Sequence, residues 1–163
     1  MHLTPAVASV LSRFQRIRAG LVVGYSDDTM AVLKSHRDGV WMEIPFFDEF
    51  PFEDGQFEVI VMHGSGVCRE RVREANRVLK PEGCLFFTVN ERTGSNDDGY
   101  TAPELYKIVR EGFDIIELKR PKWWRFGRDG KTMTVCARKK AWREHKGFIR
   151  EGSLLITPFR SRS

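Results

Sequence analysis

Residues 58–89 read EVIVMHGSGVCRERVREANRVLKPEGCLFFTV. EVIVM (58–62) is a short apolar run of the kind that forms a strand buried on both faces. HGSG (63–66) supplies turn residues. From 67 to 79 the apolar residues Cys68, Val72, Ala75 and Leu79 fall on one helical face, and KPEG (80–83) ends the segment. CLFFTV (84–89) is a second buried strand. Strand, helix and strand in this order make a βαβ unit, whose two strands lie parallel in one sheet.

The same alternation extends to both sides. Thr4 and Pro5 read as an N-cap and first helical position, and Val7, Val10, Leu11, Phe14 and Ile17 predict a helix of about four turns stopped by Gly20. LVV (21–23) is a strand ending at Gly24, YSDD (25–28) a turn, and residues 29–38 a helix stopped by Gly39. Val40 to Ile44 is a strand ended by Pro45. FFDEFPFEDGQF (46–57) is an aromatic and acidic packed loop. Past the polar loop 90–100, Thr101 and Glu104 form a capping box for a helix running to Gly112. Phe113 to Arg120 is a strand, PKWWRFGRDGK (121–131) a hairpin connection with Asp129-Gly130 at its turn, and Thr132 to Ala137 an antiparallel last strand. The fold class is therefore α/β: a Rossmann-like, mostly parallel sheet of about six strands with an antiparallel C-terminal strand and helices on both faces.

With 163 residues, 41% of them apolar and 30% charged, the chain suits one globular domain. We expect that domain over 1–140 and a basic tail over 141–163. No apolar run is long enough to span a bilayer and no signal-peptide pattern opens the chain, so no membrane partner and a cytoplasmic location are expected. Cys68, Cys84 and Cys136 and the four histidines are scattered, which gives neither a disulfide framework nor a metal site. Of the net charge of +5, residues 138–163 carry +6, from eight Lys/Arg (Arg138 to Arg162) against Glu144 and Glu151, so the rest carries −1. Such a tail suits nucleic acid or an acidic partner, or is simply solvated.

Two segments carry a family resemblance. FPFEDGQFEVIVMHG (50–64) resembles the passage into the fourth core strand of class I S-adenosylmethionine-dependent methyltransferases, of the type 11 kind. REANRVLKPEGCLFFTVNE (73–91) resembles their "E-x-x-RVLKPGG" helix end and the strand after it. The resemblance covers about forty residues strongly and roughly residues 5–140 as a template. It implies S-adenosylmethionine as cofactor and direct methyl transfer to an acceptor that these residues do not specify.

Ligands of such sheets sit at the carboxyl ends of the strands, near the switch in strand order. Those ends carry Gly24, Ser26 and Asp27, then Glu43, then His63 and the Gly64-Ser65-Gly66 turn, then Asn90 and Glu91. Glu43 follows Gly24 by 19 residues, the spacing of the ribose-binding acid in dinucleotide folds; a solvated strand-end acid is the alternative. Their shared place at the strand carboxyl ends puts any cofactor between Gly24 to Asp28 (Gly24, Ser26 and Asp27 as contacts), Glu43 and His63. His63 or Asn90 faces the acceptor, His63 as a candidate base. The glycine turn is a candidate anion site, and Trp123, Trp124 and Phe126 are candidates for lining a substrate pocket.

The chain departs from the family pattern twice. The G-x-G-x-G turn is reduced to Gly24, so side chains enter space the cofactor needs, and Asp27 and Asp28 repel its carboxylate unless they only cap a helix. From Glu43 the chain runs almost directly into FPFEDG, omitting a helix and an edge strand and with them a wall of the adenine pocket. Phe46 aligns with the family's adenine-contacting acid; Phe46, Phe47 or Asp48 either replaces that contact or packs on the bare edge. These features predict weak S-adenosylmethionine binding, and the uncovered edge invites a homodimer. A non-catalytic interaction protein and a nucleic-acid module acting through the tail remain alternatives to an enzyme.

Overall fold

The βαβ unit predicted over 58–89 forms in the computed structural model, which describes residues 5–25, 27–36, 39–92, 98–120 and 132–141. Strand β3 (Phe57–Met62) leads through a 3₁₀ turn (Gly64–Gly66) into α3 (Arg69–Val78), and β4 (Leu79–Asn90) returns parallel to β3. Helix α3 buries Val72, Ala75 and Val78, three residues apart on one face. Before this unit come α1 (Pro5–Arg13), β1 (Ala19–Val23), α2 (Asp27–His36) and β2 (Val40–Ile44). After it come α4 (Ala102–Val109), β5 (Phe113–Lys119) and β6 (Thr132–Lys139). The capping box opens α4: the Thr101 hydroxyl accepts from Glu104 N–H, and Glu104 accepts from Thr101 N–H.

The six strands lie in the order β2-β1-β3-β4-β6-β5. β2, β1, β3 and β4 pair in parallel, and β6 runs antiparallel to both its neighbours. Alternate residues of each inner strand serve two cores. Leu21, Ile60, Leu85 and Phe87 pack beneath α3 and α4. Val22, Val59, Val61 and Phe86 pack beneath α1 and α2. Burial on both faces explains why these strands read as unbroken apolar runs. Among the described residues the sheet lacks the further edge strand of the family template, as the short passage from Glu43 to Phe52 predicts.

Three predictions shift. The first helix ends at Arg13, and Gly20 belongs to β1 instead of stopping a helix. The glycine is needed there because the Trp41 ring lies over it; a Cβ would sit 2.3 Å from that ring. Leu79, placed on the helix by its periodicity, begins β4 opposite Phe57. KPEG, expected to end that helix, instead lies inside β4 and arches within it: Glu82 takes a positive φ of 65°, and the register shifts between Phe57 and Val59. Thr4, the hairpin with Asp129-Gly130, and the tail from residue 142 lie outside the described residues. Among the described residues no helix is long and apolar enough to cross a membrane.

In place of the missing helix and strand, residues 45–56 form a strap along α3. Two arginines of that helix fasten it. Arg71 donates to Phe47 O at 3.3 Å and Asp48 Oδ1 at 3.2 Å. Arg77 donates to Phe50 O at 3.0 Å, Phe52 O at 2.8 Å and Asp54 Oδ1 at 2.9 Å. Between them Glu74 accepts the Phe50 N–H at 2.7 Å and pairs with Arg77 at 2.8 Å. Phe50 is buried, and the Phe52 ring meets Phe57 edge-on at 4.9 Å.

Candidate functional site

Parallel strands bring their carboxyl ends to one rim, and main-chain bonds stitch that rim together. Gly24 N–H donates to Ile44 O at 2.8 Å, and His63 N–H donates to Val23 O at 2.9 Å. Gly24 turns at φ +76°, a conformation costly for any residue with a Cβ. Gly66 lies beside it in the next loop.

One side chain covers both glycines. A Cβ on Gly24 would lie 2.2 Å from the Phe46 ring, and one on Gly66 would lie 2.0 Å from it. The glycines are required here because Phe46 occupies the space above them. Arg71 holds the ring in place: its guanidinium carbon lies 5.3 Å from the ring centroid, and it donates to Gly66 O at 3.0 Å and Phe47 O at 3.3 Å. The His63 ring meets Phe46 edge-on at 6.3 Å and Tyr25 at 5.0 Å.

Beyond His63 the rim opens. A cavity of about 720 Å³ lies over the ends of β3 and β4, bounded by Tyr25, His63, Ser65, Asn90 and Tyr100. Thr88 and Val89 form part of its wall. Tyr100 is tied in by its hydroxyl, which donates to Val67 O at 2.5 Å, and by its N–H, which donates to Asn90 O at 3.0 Å. Burial, with smaller contributions from Cys68 and the Glu104 and Glu70 carboxylates, pushes the Tyr100 phenol up, so it stays a donor at neutral pH. His63 caps the 3₁₀ turn: its Nδ1 accepts the Ser65 N–H at 3.3 Å and lies 2.9 Å from Ser65 Oγ. That pattern assigns the neutral ring's proton to Nε2.

The described structure brings Gly24, Phe46 and His63 together, and brings His63 and Asn90 to one cavity. Glu43 is exposed at the end of the edge strand and does not line the cavity. Asp48 is 82% exposed and pairs with Arg71. Asp27 opens α2, while Ser26, Trp123, Trp124 and Phe126 lie outside the described residues. Sequence reasoning did not single out Arg71 or Tyr100. An arginine on a polar helix face carries no local signal of the strap it holds, and Tyr100 ends a loop with no periodicity.

No protein-family model matches the chain, and no curated protein matches it. Solved structures do. One is a chain of the complex between the Haloferax volcanii Trm112 methyltransferase activator and a methyltransferase: TM-score 0.66, 14% identity, over 86% of this chain and 90% of that one. Another is the Burkholderia thailandensis 1,6-didemethyltoxoflavin-N1-methyltransferase, with 1,6-didemethyltoxoflavin and S-adenosylhomocysteine bound: TM-score 0.64, 16% identity, over 83% and 77%. A third is the [4+2]-cyclase SpnF: TM-score 0.58, 16% identity, over 83% and 79%. The fold is that of the S-adenosylmethionine-dependent methyltransferases.

For a methyltransferase fold, the decisive test is whether the rim has room for the cofactor's methionine end above the first glycine turn. Here it does not. The space over Gly24 is filled by Phe46, and the same ring fills the space over Gly66. The residues as arranged do not fit S-adenosylmethionine on that side, although the cavity over β3 and β4 stays open.

Proposed function

We propose that this chain is a methyltransferase-like protein whose S-adenosylmethionine crevice is held shut by its own Phe46, so that the isolated chain binds the cofactor weakly. The cavity bounded by Tyr25, His63, Asn90 and Tyr100 is the face left open to a ligand. In that cavity His63 acts as an Nε2–H donor and Asn90 as a polar contact, which suits orienting a polar small molecule better than abstracting its proton. The observation that carries the reading is the contact of one aromatic ring with both Gly24 and Gly66. The fold similarity supports the methyltransferase-like class; the shared fold with a cyclase shows why the site, and not the fold, must carry the argument.

Calorimetric titration of the full chain with S-adenosylhomocysteine tests it. The wild type should bind in the millimolar range, on the order of −4 kcal/mol, and Phe46→Ala should bind at least about tenfold tighter, a gain of ~1.4 kcal/mol. Thermal melts of both proteins check that the variant folds. In the Phe46→Ala background, Glu43→Ala should remove ~1–2 kcal/mol if Glu43 holds the ribose. A wild-type dissociation constant near ten micromolar or below, about −7 kcal/mol, overturns the reading and makes active methyl transfer the leading account.

A further inference from the structure

Among the described residues the outer edge of the sheet is bare: β2 pairs only with β1, in the register Ala19↔Val40 to Val23↔Ile44. Val40 N–H donates to Arg18 O and Ile44 O accepts from Gly24 N–H, both at 2.8 Å. The main-chain groups of residues 40, 42 and 44 therefore point toward β1. Those of Trp41 and Glu43 point to the open side, where none of the described residues pairs with them. Residues 40–44 contain no Lys, Arg or Pro, Pro45 lies beyond them, and the single charge on the strand is the exposed Glu43 carboxylate. Val40 and Met42 are 66% and 42% exposed, so the uncovered strip is apolar as well as unpaired.

We propose that β2 is the interface of a two-fold homodimer in which two sheets join edge to edge, with the axis at Met42. The occupant follows from the symmetry of the strand itself. Its free donor–acceptor pairs sit at 41 and 43, one on each side of Met42, so an antiparallel second copy matches them without offset. Trp41 then exchanges both main-chain bonds with the partner's Glu43, and Glu43 does the same with the partner's Trp41. Met42 faces the partner's Met42 in the close, non-hydrogen-bonded position, and Val40 faces the partner's Ile44. The two Glu43 carboxylates are not set opposite one another. The interface uses Glu43 only through its main chain and is read by oligomeric state, so it stands or falls separately from cofactor binding.

The register gives a sharp test on the full chain. Across the axis residue 42 meets its own copy at a Cα separation of about 4.5 Å, inside the range a disulfide accepts. Residue 40 is four residues out of register with its own copy, about 13 Å away. With oxidised glutathione as oxidant, Met42→Cys should form a cross-linked dimer. Val40→Cys, at the more exposed position, should not, and the wild type with its three native cysteines should not. Sedimentation should show wild-type dimer growing with protein concentration and Met42→Lys remaining monomeric. Equal cross-linking of Val40→Cys and Met42→Cys overturns the register. A wild type that stays monomeric at every concentration overturns the dimer, whatever the reactivity of the Met42→Cys variant.

Discussion

The rim above the strand ends has two halves built on opposite principles. At Gly24 and Gly66 the absence of a Cβ makes room for a side chain of the same protein, Phe46. At Gly64, only two residues from Gly66, the absence of a Cβ makes room for main chain: a Cβ there would lie 1.7 Å from Thr88 O. The first half is closed by an aromatic side chain carried on a strap. The second is framed by backbone and encloses the open cavity. A glycine near a crevice thus signals close approach, but not whether a ligand, a side chain or the backbone makes it.

Substitutions can break or sharpen this contrast. The largest effect is expected at Gly64→Ala, where the clash is with backbone that cannot swing away. It should lose about 3 kcal/mol in urea denaturation, against about 1 kcal/mol for Gly66→Ala, whose neighbour is the far end of the Phe46 ring. Equal losses at the two sites would mean the halves do not differ as described.

Next comes the strap itself. Arg77→Ala removes the fork that binds Phe50 O, Phe52 O, Asp54 and Glu74, and should cost about 2–3 kcal/mol, with Arg77→Lys recovering only part because an ammonium lacks the planar fork. A loss within error of zero would show that Arg77 makes no net contribution to holding the strap.

The smallest effect is the pH dependence of that anchor. Hydrogen bonding to Arg77, outweighing the cost of burial and helped by the Phe50 N–H, holds the Glu74 carboxyl below the usual carboxylate range. Its pKa is thus lower folded than unfolded, so the unfolded chain takes up the proton first. The stabilisation is complete above the ordinary glutamate value of about 4.3 and is lost as pH falls through the lower native value. Denaturation midpoints should drop across that window, and Glu74→Gln should flatten the drop; an unchanged slope in Glu74→Gln would place the acid sensitivity at other carboxylates.

Much of the scaffold was legible because its signals are local. EVIVM and CLFFTV are apolar on both faces because both faces of the sheet are covered, and Thr101 with Glu104 marks a helix start within one turn of chain. The short passage from Glu43 to Phe52 announced the missing edge strand. Less legible was the fate of Gly20, whose glycine serves the Trp41 ring of the neighbouring strand. Leu79 was likewise misplaced, because pairing with Phe57 overrides helical spacing.

By itself, then, the sequence determined the alternation of strands and helices, the antiparallel closing strand and the absent edge, since each depends on spacing along a few consecutive residues. Only the tertiary structure decided that Phe46 lies over Gly24 and Gly66 and that Arg71 holds it there. Those contacts join residues about twenty positions apart that no periodicity relates, and they exist only once the parallel strands have carried their carboxyl ends to a single rim.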